Sequence, residues 1–197
     1  RSYNSQIGVP LSVWLLNEHT QLGIFEAGIS QPGEMRALRG IIQPTIAVLT
    51  NLGAAHQENF ESMQAKCKEK IQLFHDAQTV VYDADDSVIA AEVEASGYPG
   101  ERLCWSLTDA HAPMYISRID KGDAHTVVTY SYQGGAEQHY QLPFIDDASI
   151  SNSIVCATVA LHLGVSADAL ALRMQQLEPI AMRLEVKEGQ HGCTLIN

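Results

Sequence analysis

The chain has 197 residues, 46% hydrophobic and 18% charged, the composition of one globular domain with a sizeable core and not of a disordered or collagenous chain. Its 23 Asp and Glu outweigh 12 Lys and Arg, for a formal net charge of −11, which repels phosphate backbones and excludes nucleic acid as an expected partner. The longest apolar stretch, Ile154 to Val165, is broken by Thr158 and His162 and falls short of the roughly 20 residues of a bilayer span, so no membrane partner is expected.

In chain order, Leu22–Glu26, Thr45–Leu49 and Thr79–Tyr82 are short, apolar and rich in β-branched residues, with room for crossover helices between them. Such continuous runs predict a mostly parallel sheet covered by helices on both faces, the three-layer α/β class. Met63, Cys67, Ile71 and Phe74 recur at helical spacing and mark the buried stripe of a helix. Between Pro113 and Pro143 the pattern changes: Tyr115–Asp120, Thr126–Tyr132 and Glu137–Leu142, joined by glycine turns, predict a three-stranded antiparallel meander.

Ser149–Leu163 and Ser166–Leu177 then read as helices, each opening on a serine cap, with Gly164 as a C-cap between them. Leu184–Lys187 and Thr194–Ile196 are expected to add strands to the sheet edge. Cys67, Cys104, Cys156 and Cys193 are scattered without a Cys-x-x-Cys pair, which fits reduced thiols and a cytoplasmic setting. The chain opens on Arg1 and stops just after a strand-like run, so a piece of a longer protein is expected.

Ligands in open α/β sheets bind outside the carboxyl ends of the strands, which directs attention to Glu26 and to the Thr50–Glu58 segment containing Asn51 and His56. A carboxylate and an imidazole meeting there could share a hard divalent cation; equally, each could be an ordinary loop or turn residue. Lys70 falls inside the apolar stripe, while Lys66 lies toward its edge and Lys68 points away. Lys70 is then either a lysine snorkelling past apolar surface or one whose pKa is lowered by burial until the neutral amine reacts, for instance with carbon dioxide. No Gly-x-x-x-x-Gly-Lys-Ser/Thr loop and no Gly-x-Ser-x-Gly elbow occur.

The segments Asn4–Leu11, Glu26-Ala27-Gly28, Pro32-Gly33-Glu34-Met35 and Thr50–Glu58 together resemble the central ATPase domain of the Mur ligases over nearly the whole chain. Gly33-Glu34 and Ala55-His56 resemble the members that add D-alanyl-D-alanine to UDP-N-acetylmuramoyl-tripeptide. The runs 56–60 and 183–186 resemble members fused to an alanine racemase. The resemblance implies ATP and Mg²⁺ as cofactors, Glu26 and His56 as magnesium ligands, and Lys70 as a third ligand once carbamylated. It also implies nucleotide contacts at Asn152 and Arg183 and a substrate-side loop at Asn4 and Asn51. Ala148-Ser149 and Met182 depart from the residues usual around the adenine site, and Ser5 from a frequent second asparagine.

The expectation is an amide-forming ligase working through an acyl phosphate, with residues 1–197 a central-domain piece that lacks the phosphate loop and both flanking domains and is inactive alone. A folylpolyglutamate-synthetase-like ligase and a noncatalytic α/β scaffold are the alternatives.

Overall fold

Thr79–Asp83 forms strand β2, and its unbroken burial reflects cover on both faces. Val81 enters one core with helix α5 (Asp147–His162), whereas Val80 and Tyr82 enter another with α3 (Met63–Ile71) and α4 (Ser87–Ala95). The computed structural model describes residues 3–53, 56–178, 186–188 and 193–196. Strands β1 (Ile46–Val48), β2, β3 (Glu101–Ser106) and β4 (Met114–Lys121) pair in parallel; β5 (Thr126–Tyr132) and β6 (Gln138–Leu142) continue the sheet antiparallel. The six strands lie side by side in chain order. The α/β class and the meander of residues 113–143 are therefore as expected.

The first two parallel links are helical crossovers through α3 and α4. The third is different: only Trp105 and Ser106 of β3 lie opposite Met114 and Tyr115 of β4. Because β4 begins where β3 ends, the chain steps sideways without returning along the strand, and residues 107–113 suffice where a fully overlapped pair needs a longer crossover. Between β5 and β6, Gln133 (φ 48°) and Gly134 (φ 69°) both take left-handed backbone and Gly135 N donates to Tyr132 O at 3.0 Å, a type I′ turn.

At the end of α5, Gly164 N donates to Leu161 O and Val165 N to Ala160 O, both at 3.0 Å, and Gly164 (φ 87°) supplies the left-handed residue that this Schellman ending requires. Ser166 then caps α6 (Ala167–Met174), accepting from Ala169 N at 3.3 Å. Helices α1 (Gly8–Val13) and α2 (Glu34–Ile42) form a smaller core of their own, with Val9, Met35 and Leu38 buried.

Three expectations are corrected. Leu22–Glu26 forms no strand: no described strand flanks β1 on its outer edge, so the run has no ladder to join, and Leu22 and Ile24 are exposed. The cap of α5 is Asp146, which accepts from Ser149 N at 2.8 Å, so the helix starts earlier than a Ser149 cap implies. The tail strands β7 (Val186–Glu188) and β8 (Thr194–Ile196) pair with each other in a separate antiparallel sheet and do not extend the main one. Leu184 and Glu185 of the first lie outside the described residues.

Candidate functional site

Helix α5 fixes the polarity of the layers. At its last residue, His162 Nε2 lies 3.4 Å from Thr79 Oγ1 and 3.9 Å from Glu101 Oε2, the first residues of β2 and β3. The helix therefore runs against the strands, and Asn152, exposed near its start, lies toward their carboxyl ends. That rim is where open α/β sheets bind ligands.

On the opposite face, the loop after β1 reaches the same rim. Asn51 Oδ1 accepts from Gly53 N at 3.1 Å, closing an Asx turn. Two lysines one turn apart on α3 hold this loop from below: Lys70 Nζ donates to Asn51 O at 2.8 Å and Lys66 Nζ to Gly53 O at 2.5 Å. Ser62 starts α3, accepting from Ala65 N at 3.0 Å, and so sets the rotation that aims both side chains at the loop. Lys66 is only 2% exposed, which corrects its expected position at the stripe's edge. Burial, then the neighbouring Lys66 charge, lowers the Lys70 pKa below its ordinary value. Lys70 is thus partly buried, with its Nζ held on a carbonyl.

The other motif segments are stitched together nearby. Asn4 clamps the Glu26-Ala27-Gly28 run twice, its amide donating to Glu26 Oε1 at 2.8 Å and its carbonyl accepting from Gly28 N at 2.7 Å. A Cβ at Gly28 would stand 2.9 Å from Asn4 O, so this close approach needs glycine. Glu34 Oε2 accepts from Ser30 N at 2.6 Å and Gln31 N at 3.0 Å. Glu69, beside Lys70, accepts from Gly33 N at 2.8 Å and Met35 N at 3.1 Å at the start of α2. Asn59, in the single 3-10 turn Gln57–Asn59, donates to Ser30 O at 2.9 Å and ties the segment after His56 to the same loop.

The structure thus pairs Asn4 with Glu26 and Asn51 with Lys70, and ties the Glu26 loop to the turn following His56. His56 is half exposed in left-handed backbone (φ 58°), its Nδ1 4.0 Å from Glu58 Oε1. Among the described residues no hydrogen bond or ion pair joins Glu26, His56 and Lys70 directly, and no three His, Cys, Asp or Glu side chains form a metal-holding group. Asn152 lies across the sheet from these residues. Arg183 is outside the described residues, as are residues 54 and 55.

Two features of the rim were not singled out in the sequence. One is the burial of Lys66. The other is Asp85, after β2, which accepts from Ser106 Oγ at 2.6 Å, Leu107 N at 2.6 Å and Thr108 Oγ1 at 2.7 Å and so binds two rim loops together. The run Asp83-Ala84-Asp85-Asp86 immediately after a strand was the available signal.

A model of the Mur ligase middle domain matches residues 1–160. The chain belongs to this family. The Mur ligase middle domain described here is 22% identical over 199 residues to the UDP-N-acetylmuramoyl-tripeptide–D-alanyl-D-alanine ligase of Bacillus subtilis (strain 168), covering 100% of this chain and 42% of that protein. Its fold is shared with a crystal structure of MurF from Acinetobacter baumannii (TM-score 0.83, 21% identity, 97% of this chain and 42% of that one). MurF from Thermotoga maritima in complex with ADP is also similar (TM-score 0.76, 22% identity, 93% of this chain and 42% of that one). The chain thus spans about two fifths of the length of these relatives.

Proposed function

We propose that this Mur ligase middle domain is the ATP-binding part of a cytoplasmic ligase that joins D-alanyl-D-alanine to UDP-N-acetylmuramoyl-tripeptide. The observation that carries the reading is the alignment of the whole chain with the Bacillus subtilis ligase named for that reaction. In the reaction, the peptide carboxylate takes the γ-phosphoryl group of ATP to give an acyl phosphate, and the amine of D-alanyl-D-alanine displaces phosphate to form the amide. Protein groups are needed mainly for positioning and for charge at the phosphoryl group.

The donor set fits Mg²⁺. Glu26 is an exposed carboxylate held in place by Asn4 through one oxygen, His56 is an exposed imidazole three residues before Asn59, which bonds Ser30 O, and Lys70 becomes an anionic oxygen donor if its amine takes up carbon dioxide. Glu26, His56 and carbamylated Lys70 would hold the ion, which when bound neutralises charge on the transferring phosphoryl group. Burial and the Lys66 charge favour the neutral, nucleophilic form of Lys70. Asn4 orients Glu26, and Asn51 offers its carbonyl to Lys70. Asn152 and Arg183 are assigned to the nucleotide, and the loop residues Asn4 and Asn51 to the substrate side.

Residues 1–197 alone are expected to be inactive. The likeness to racemase-fused members rests on residues 56–60 and 183–186, and a fused racemase belongs to the same proposal. Ligation of the two substrates by the intact protein, followed by product mass, tests the reading. Lys70→Ala is expected to lower kcat at least about a hundredfold, with partial recovery on adding a short carboxylic acid. No ligation by the intact protein would overturn the function, and an active Lys70→Ala would remove Lys70 from the site.

A further inference from the structure

Beyond the effect of its charge on Lys70, Lys66 takes no part in the reaction proposed above, yet it is among the largest fully buried side chains of the molecule. A lysine taken out of water costs free energy unless its ammonium is used. Here it is used on main chain: Nζ donates to Gly53 O at 2.5 Å, two residues beyond the carbonyl that Lys70 holds. The two lysines stand at i and i+4 on one face of α3, and their targets are the two ends of the Asn51–Gly53 Asx turn. The Asn51–Gly53 turn therefore rests on two cationic props. One is partly exposed and offers chemistry, and the other is sealed in the interior.

We infer that Lys66 is a positioning residue, which fixes the Asn51–Gly53 turn and through it the placement of Lys70. The inference rests on the metal-site reading above for its catalytic consequence, but its structural half stands on the Lys66–Gly53 contact and is independent of that reading. Lys68, on the same helix, is a natural control: it is mostly exposed and pairs with Glu92 at 3.8 Å, away from the loop.

Lys66→Met keeps the length and apolar stem of the side chain and removes the donor, which leaves Gly53 O without it and is expected to lower the thermal midpoint modestly. In this chain, amide hydrogen exchange at Gly53 should quicken about tenfold, with Val80 in β2 unaffected. In the intact ligase, half-saturation by Mg²⁺ should rise about tenfold or more while KM for D-alanyl-D-alanine stays constant, and Lys68→Met should change neither.

Unchanged exchange at Gly53 overturns the inference. So does an unchanged Mg²⁺ requirement in an enzyme whose requirement does respond to Lys70→Ala. If Mg²⁺ half-saturation responds to neither Glu26→Gln nor Lys70→Ala, it is the metal-site reading that fails, and Gly53 exchange still decides the structural half. Should Lys66→Met not fold, the unsubstituted chain gives the answer: a slowly exchanging Lys66 ammonium signal coupled to the Gly53 carbonyl carbon is expected, and a rapidly exchanging, uncoupled one overturns the inference.

Discussion

Asp85 accepts a hydrogen bond of 2.6 Å from Ser106 Oγ, so the loop after β2 is fastened to the last residue of β3. Leu107 N and Thr108 Oγ1 also donate to it. Burial pushes the Asp85 carboxyl up, but the bonds from Ser106, Thr108 and the Leu107 amide outweigh it and hold the pKa below the usual value. A carboxylate depressed in the folded state adds stability above its unfolded pKa, near 3.9, and loses it as pH falls through the folded value. Asp85→Ala is expected to cost about 1–2 kcal/mol at pH 7, discounted for its exposure, and to lose less stability than the parent as pH falls through the carboxylate range. Denaturant titrations at neutral and acid pH check this, and equal stabilities at pH 7 would contradict it.

Two tyrosines in one core make opposite predictions. The Tyr130 and Tyr140 rings pack 5.8 Å apart at 50°. Tyr140 OH lies 3.0 Å from Ser153 Oγ, which donates onward to Ile150 O at 2.7 Å, whereas Tyr130 OH is buried with no hydrogen-bond partner among the described residues. Tyr140→Phe should therefore lose about 1 kcal/mol, and Tyr130→Phe should be neutral or stabilising by a similar amount. Thermal unfolding of the two variants separates the cases, and equal losses would refute the assignment.

Cys67 sits between the two site lysines in sequence and is fully buried. Burial, followed by Glu92 and Asp86, pushes its thiol up to about 12, with Lys70 pulling weakly the other way. Stability from holding this thiol neutral is complete below pH 9.0 and is lost as pH rises from there toward 12. At pH 8, maleimide should modify the exposed Cys156 and Cys193 well before Cys67, as read by peptide mass spectrometry. Cys67 labelling at the rate of Cys193 would show that the interior beneath the loop is open.

The elements that the sequence displayed best were those whose pattern and neighbours agreed. β2 is apolar along its length because helices cover both sides, and the meander strands alternate between glycine turns. β3 is hard to read because Glu101 and Arg102 at its start mask the inward alternation of Leu103 and Trp105, and α4 because its Asp86 cap sits in an acidic run that reads as a loop. Leu22–Glu26 has strand composition without a partner, and pairing is not written in a local run. The candidate residues Asn4, Asn51, Glu26, His56 and Lys70 are legible from motifs, and their roles stand as proposals. The burial of Lys66 is not legible, because helix rotation by less than one residue decides whether a lysine lies at the edge of a stripe or beneath a loop.

The chain-order arrangement of β1 to β6 bears on how the molecule is made. Each strand, once synthesised, finds its partner among the residues that left the ribosome just before it, so the ladder can lengthen from one side as translation proceeds. The staggered step from β3 to β4 lets that growth pass from parallel to antiparallel pairing with little delay. A ribosome-stalled nascent chain exposed through β4 should therefore already protect the β2 and β3 amides from exchange.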